Sequence, residues 1–200
     1  MKPCPAWNEW LNLYKAEGIL HERRFNREIE RLRDPDRIAR LEVDQVVDLT
    51  LEGLKEARTV LDLGTGSGLF AEKFAAYGLK VTGLDANPEM LPAARRYVPA
   101  GTFEEGIAEK LPFPEGSFDL LFMGLLLHET DDPLKALREA HRVAVQRLAI
   151  LEWPDEEQSF GPPREHRLSF EKITALAKQA GFKNIELIRL KHLALYRAAG

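Results

Sequence analysis

The stretch Val60-Leu61-Asp62-Leu63-Gly64-Thr65-Gly66-Ser67-Gly68 decides the fold. Its first half is apolar apart from one acid, and Thr59 to Leu63 reads as a short buried strand. The strand runs straight into three alternating glycines, and Leu69 to Tyr77 reads as a helix with Phe70, Phe74 and Tyr77 inward. Glycine suits such a junction, because the chain turns sharply and a flat ligand can approach backbone that carries no Cβ. In an open parallel sheet, ligands collect at this carboxyl end of the strands.

The spacing separates ligand classes. A dinucleotide-binding turn needs a third glycine three positions after the second. That position is Leu69, so a nicotinamide-dependent oxidoreductase is a weak second reading. Gly-x-Gly-x-Gly after an acid suits a ligand without phosphates but with an amino-acid tail, whose ammonium Asp62 can attract. Val81-Thr82-Gly83-Leu84-Asp85 is the next strand, and Asp85 closes it. A carboxylate there can accept from two adjacent ribose hydroxyls.

Outward from this unit the chain alternates. Strands are expected at Lys80–Leu84, Gly101–Glu105, Phe118–Met123 and Arg147–Trp153, with a terminal hairpin of Ile185–Leu190 and Leu193–Arg197. Pro88 is placed in the first turn of a helix running to Tyr97. Asp132-Pro133 opens a helix with Leu134, Leu137 and Ala140 inward, and Ser169 caps one that buries Phe170, Ile173, Leu176, Ala177 and Ala180 before Gly181. Asp34-Pro35 marks a break, and Val43, Val46, Val47, Thr50, Leu51 and Leu54 share a helical face. The expectation is an α/β fold, a mostly parallel sheet with helices on both faces. Residues 1–55 would form a helical cap on the domain of residues 56–200.

Bulk properties narrow the function. The 200 residues suit one domain, and a net charge of -4 gives no broad attraction to nucleic acid or anionic lipid. Arg23, Arg24, Arg27, Arg31 and Arg33 are interleaved with Glu22, Glu28, Glu30 and Asp34, which reads as a salt-bridged, solvated helix face. Cys4 stands alone, so no disulfide or cysteine metal site is expected, and a cytoplasmic setting fits. No signal peptide is read at the N-terminus, and no apolar run approaches the roughly 20 residues that span a bilayer. A small-molecule substrate is expected, with no nucleic acid and no membrane insertion.

Together these residues resemble the class I S-adenosylmethionine-dependent methyltransferases, in the group labelled methyltransferase type 11 or ubiquinone/menaquinone-biosynthesis-like. The resemblance covers Val60 to Gly181. It rests on Val60–Gly68, on Val81–Leu91, on Ala108-Glu109-Lys110-Leu111-Pro112-Phe113-Pro114-Glu115-Gly116-Ser117-Phe118-Asp119, and on Leu127-His128-Glu129-Thr130-Asp131-Asp132-Pro133 with Leu137-Arg138-Glu139. Glu152-Trp153 and Gly161-Pro162-Pro163 look like a subset of bacterial members.

The resemblance implies a Rossmann-like seven-stranded sheet with an antiparallel C-terminal strand, and S-adenosyl-L-methionine as cofactor, leaving as S-adenosyl-L-homocysteine. It implies that Gly64, Thr65, Gly66 and Gly68 line the methionine and ribose, with Asp62 below the loop. Asp85 would hold the ribose. Ala86 and Met90 would flank the adenine, with Ile107, Ala108 and Glu109 on its other side. Gly124 and Leu125 would sit near the sulfonium. Many relatives carry an aspartate where Ile107 stands, and a proline with two glycines where Val143-Ala144-Val145-Gln146-Arg147 stands.

The methyl group is already electrophilic, so the enzyme chiefly aligns an acceptor and excludes water. His128 and Glu129, after the fourth strand, are the candidate bases for an acceptor that must lose a proton. The alternative is a non-catalytic binder of the cofactor or its demethylated product. Nucleic-acid amine methylation goes with an Asn/Asp-Pro-Pro-aromatic run, which Met123-Gly124-Leu125-Leu126 lacks. Arsenic methylation goes with several cysteines. Trp7, Trp10, Tyr14 and Phe25 are candidates to roof the acceptor site.

Overall fold

The computed structural model describes residues 29–199. Trp7, Trp10, Tyr14, Phe25, Cys4 and most of the early arginine-rich segment lie outside the described residues. The described chain opens with α1 (Ile29–Leu32), α2 (Pro35–Leu41) and α3 (Val43–Leu51). The alternating part follows as β1 (Thr59–Leu63), α4 (Leu69–Ala76), β2 (Lys80–Asp85), α5 (Leu91–Tyr97), β3 (Thr102–Glu105) and β4 (Phe118–Gly124). Then come α6 (Pro133–Val143), β5 (Ala144–Glu152), α7 (Phe170–Ala180), β6 (Lys183–Arg189) and β7 (Ala194–Ala199).

The seven strands form one sheet in the order β3-β2-β1-β4-β5-β7-β6. β3, β2, β1, β4 and β5 pair in parallel, and β7 runs antiparallel to both β5 and β6. This is the expected fold. The pleat divides the central strands between two cores. Leu61, Leu63, Leu121, Met123, Leu148 and Ile150 face α6 and α7. Val60, Leu120, Phe122, Ala149 and Leu151 face α3, α4 and α5. Burial on both faces explains why these strands read as continuous apolar runs. At their amino edge, Asp119 accepts hydrogen bonds from the amides of Arg58 and Thr59 and from the Thr59 hydroxyl. The Arg58 bond leads the forces that hold its carboxyl below the usual range. Asp119 therefore belongs to the sheet rather than to the ligand edge.

Several expectations need correcting. Tyr77 is 47% exposed rather than inward, and its hydroxyl donates to Asp48 on α3. Phe170 is 38% exposed and stacks on Tyr196 instead of entering the core. Pro88 lies in a turn before α5, where the Asn87 side chain accepts from the Glu89 amide, and Pro92 is the proline in the first helical turn. Arg33 does not lie on a solvated face. It sits over the Tyr97 ring at 3.2 Å, bonds Glu72 and donates to the Ser67 carbonyl, pinning the segment between α1 and α2 to the glycine loop. Residues 143–147 contain no separate turn: α6 ends at Val143 and β5 starts at Ala144, longer than expected. The strand accommodates this with a register shift between Phe118 and Leu120.

The Ser169 cap and the helix start at Asp132-Pro133 hold as read, and the break at Asp34-Pro35 is itself a helix cap. Asp34, Asp132 and Ser169 each accept from the amide three residues on, and Gly181 ends α7 in the left-handed region. Gly68 is the strictest glycine of the turn. Its φ is +76°, and a Cβ there would stand 2.9 Å from the Ala94 Cα on α5. Neither backbone can yield, so Gly68→Ala is expected to cost about 2–3 kcal/mol in urea unfolding.

Candidate cofactor and acceptor site

The parallel strands all end on one edge, and a cavity of about 480 Å3 opens there. That volume lies within the ~300–1,000 Å3 of small-molecule sites. The structure brings most of the expected residues into its lining. Gly64, Thr65 and Gly66 form one wall, and Asp85, Ala86 and Met90 the next. Ile107, Ala108 and Glu109 face them from the loop after β3, and Gly124 and Leu125 close the end of β4. His128 and Glu129 lie beyond, in a 3-10 turn spanning Leu127–Glu129. Asp62 and Gly68 are outside the lining: Asp62 is buried under the loop, and Gly68 packs against α5.

Four backbone amides of the turn are committed within the protein. Those of Gly64 and Thr65 donate to the Leu84 carbonyl at 2.8 and 3.0 Å, and that of Gly68 to the Thr65 carbonyl at 2.9 Å. Gly66 donates to Asp85 Oδ2 at 2.7 Å, while Asn87 donates to Asp85 Oδ1 at 2.8 Å. A phosphate cradle needs such amides pointing at the ligand. Four amides of this turn are spent on β2, on Asp85 and on Thr65, which suits a nucleoside without phosphates. The amides of Gly66 and Asn87 orient the Asp85 carboxylate at the crevice.

Beneath the loop, Asp62 accepts from the Thr65 hydroxyl at 2.6 Å. Burial pushes its carboxyl up to about 7, opposed by the Thr65 bond and aided by the Asp85 charge. Glu109 Oε1 accepts from the amides of Asp131 and Asp132 at 2.9 and 3.3 Å, so it ties its loop to the start of α6. Leu125 holds φ at +57° without being glycine, and its amide donates to the Leu151 carbonyl at 2.8 Å. Backbone strain of this kind, at about 1–3 kcal/mol, gathers at functional sites.

Glu152 is the residue that sequence reasoning left without a role. It closes β5, is 1% exposed, and stands 2.7 Å from His128 Nδ1 through Oε2. Its Oε1 accepts from the His128 amide at 3.2 Å. A carboxylate only accepts, so Nδ1 carries the proton and Nε2 is left as the basic nitrogen. Nε2 lies 3.7 Å from Glu129 Oε1. Burial pulls the imidazole pKa down, but the Glu152 charge and hydrogen bond together with the Glu129 charge outweigh it, and the net shift is upward. The signal was present: Glu152 is an acid at the carboxyl end of an apolar strand, as Asp85 is.

A second unassigned group is Arg167, only 8% exposed. Its guanidinium donates to the carbonyls of Pro154, Glu156, Phe160 and Pro162 and to Gln158 Oε1. The loop after β5, which supplies Phe160 to Pro163 to the cavity wall, is wound around this cation. Arg37 and Arg40 reach the same cavity from α2. His166 is exposed and stays out of it, while His141 packs edge-on against Phe182.

Comparison with known proteins agrees with this geometry. The family described as "Methyltransferase domain" matches residues 61–147. The demethylmenaquinone methyltransferase of Chlorobaculum parvum is 42% identical over 94 residues, which are 46% of this chain and 39% of that protein. The uncharacterized methyltransferase YcgJ of Bacillus subtilis is 36% identical over 133 residues, 64% of this chain and 52% of that one. The chain thus spans about half or less of the length of these curated relatives. A solved S-adenosylmethionine-dependent methyltransferase of Aquifex aeolicus superposes with a TM-score of 0.74 at 31% identity, covering 85% of this chain and 95% of that one. Sheet order, glycine turn, strand-end acid and these likenesses converge: the chain belongs to the class I S-adenosylmethionine-dependent methyltransferases.

Proposed function

We propose that the protein transfers a methyl group from S-adenosylmethionine to a small-molecule acceptor, with the cofactor in the glycine-turn crevice and the acceptor beside His128. One observation carries the reading: Asp85 is clamped by the amides of Gly66 and Asn87 at the mouth of a turn whose Gly64, Thr65, Gly66 and Gly68 amides are all bonded within the protein. Asp85 would accept from the ribose hydroxyls, Ala86 and Met90 would pack on one adenine face, and Ile107 and Ala108 on the other. Both Ile107 and Ala108 are buried, so they would offer the adenine apolar packing. Asp62 would act on the ammonium of the tail through the loop. When bound, the cofactor supplies a methyl already activated by its sulfonium.

What the chain adds is alignment and a base. Gly124 and Leu125 would hold the acceptor side of the crevice open next to the reacting carbon. His128 Nε2 would take the proton that the acceptor loses as its nucleophilic atom bonds the methyl carbon and the carbon–sulfur bond breaks. Glu152 fixes the ring and stabilises the imidazolium that results. Names of relatives, such as demethylmenaquinone methyltransferase and malonyl-[acyl-carrier protein] O-methyltransferase, favour acceptors of small-molecule or carrier-bound kind.

The pH dependence follows from the His128 shift. The base works only when deprotonated, so transfer is expected to fall on the acid side at a pH above the ordinary 6.5 of histidine. Fold stability takes the opposite sign: the ion pair contributes fully below 6.5 and is lost as pH rises through the raised value. Glu152→Gln is expected to move the acid limb of transfer to lower pH and reduce the plateau rate at least ~10-fold, and His128→Ala about 100-fold. The assay is labelled methyl transfer to a metabolite extract between pH 5 and 9. An unmoved limb in Glu152→Gln contradicts the base assignment.

A further inference from the structure

We infer that the methyl acceptor is an anion, and that Arg40 is the residue that reads its negative group. The inference rests on the cavity being a methyl-transfer site, and it adds the acceptor's charge. Arg40 is half-buried near the end of α2 and lines the cavity. Among the described residues it has no carboxylate within ion-pair distance, whereas Arg33 is spent on Glu72 and the Ser67 carbonyl. The contact it does make is with an aromatic face: its guanidinium carbon lies 5.8 Å from the centre of the Phe160 ring.

A line of contacts places Arg40 on the base side of the cavity. Phe160 packs on Trp153 with ring centres 5.9 Å apart, Trp153 adjoins Glu152, and Glu152 grips His128. A ligand resting against Phe160 and Trp153 would thus have the basic nitrogen near one end and a guanidinium near the other. A partly desolvated guanidinium without a counter-ion is disfavoured, and a carboxylate or phosphate entering the cavity relieves this with two parallel hydrogen bonds. The protein as a whole is acidic, with net charge -4. The Trp153 and Phe160 rings suit an acceptor with a flat, apolar body.

The cofactor's own tail also carries a carboxylate, and the test separates the two sources. Isotope-labelled methyl transfer to a metabolite extract is followed by anion exchange at neutral pH, for wild type, Arg40→Gln and Arg40→Lys. S-adenosylhomocysteine affinity is measured calorimetrically for each. The inference expects the labelled wild-type product to be retained by the exchanger. Arg40→Gln should lose it by about 10- to 100-fold and Arg40→Lys by less, with S-adenosylhomocysteine affinity unchanged within threefold. A neutral or cationic product overturns the inference. So does a matching loss of S-adenosylhomocysteine affinity, which would assign Arg40 to the cofactor tail. Tight S-adenosylhomocysteine binding with no labelled anion overturns it while leaving the cofactor site standing; absence of that binding overturns the methyl-transfer reading itself.

Discussion

Asp85→Ala is expected to weaken S-adenosylhomocysteine binding by at least ~100-fold while leaving the protein folded. Hydrogen bonds to a charged acceptor contribute about 1.5–3 kcal/mol each. The proposal assigns Asp85 two, from adjacent ribose hydroxyls. Removing the carboxylate also releases the amides of Gly66 and Asn87, which it holds at 2.7 and 2.8 Å. The turn would then lose the constraint that sets its width, so the loss exceeds that of the ribose contacts alone. Folding should suffer less, because the freed amides lie at the crevice, where water can reach them. Asp85→Asn is the sharper variant. Its amide nitrogen would face a backbone N–H donor whichever way it turned, so isostery should not rescue binding. Calorimetry reads the affinity and urea unfolding the stability; an affinity within fivefold of wild type in Asp85→Ala would contradict the ribose assignment.

Arg167→Met is expected to open the loop of residues 154–163 and cost about 2–4 kcal/mol of stability. Five acceptors converge on this guanidinium, four of them backbone carbonyls from a segment with no sheet or helix of its own beyond a short 3-10 turn. The methionine fills similar volume, so the loss isolates the hydrogen bonds and the charge. The freed carbonyls regain water when the loop opens, which keeps the total far below the sum of five charged bonds. Lysine should not rescue, because a single ammonium cannot span acceptors arranged for a planar fork. Hydrogen exchange should accelerate across residues 154–163 and hardly at all in β1 to β4. Since Phe160 to Pro163 wall the acceptor side, labelled methyl transfer should fall while S-adenosylhomocysteine affinity stays within threefold. Protected loop amides in Arg167→Met would refute this account of the loop.

What the sequence could reveal was set by the range of the interaction. Strands buried on both faces leave continuous apolar runs, and the turn with its three glycines and the acid of β2 are local patterns. They were therefore legible, as were the helix start at Asp132-Pro133 and the cap at Ser169. Helical periodicity put Tyr77 inward beside Phe70 and Phe74, yet a tyrosine at a helix end can satisfy its hydroxyl on a neighbouring helix, and Asp48 provides that partner. Two prolines four residues apart allowed two helix starts, and the Asn87 turn selects the later one. The His128–Glu152 pair joins segments 24 residues apart, and Arg167 gathers carbonyls that no side-chain pattern records. Only the fold brings those groups together. The Arg33 contacts belong to the same class, since they link the turn after α1 to the glycine loop and to α5.

The central claim is that the turn at residues 64–68 and the carboxylate of Asp85 form a site for a phosphate-free adenine nucleoside. Calorimetric titration of the intact protein with S-adenosylhomocysteine, alongside NAD as the phosphate-bearing alternative, tests it most directly. The account predicts saturable one-to-one binding of S-adenosylhomocysteine at micromolar concentrations and no heat with NAD. Binding of NAD in its place, or no heat from S-adenosylhomocysteine on folded protein, would contradict it.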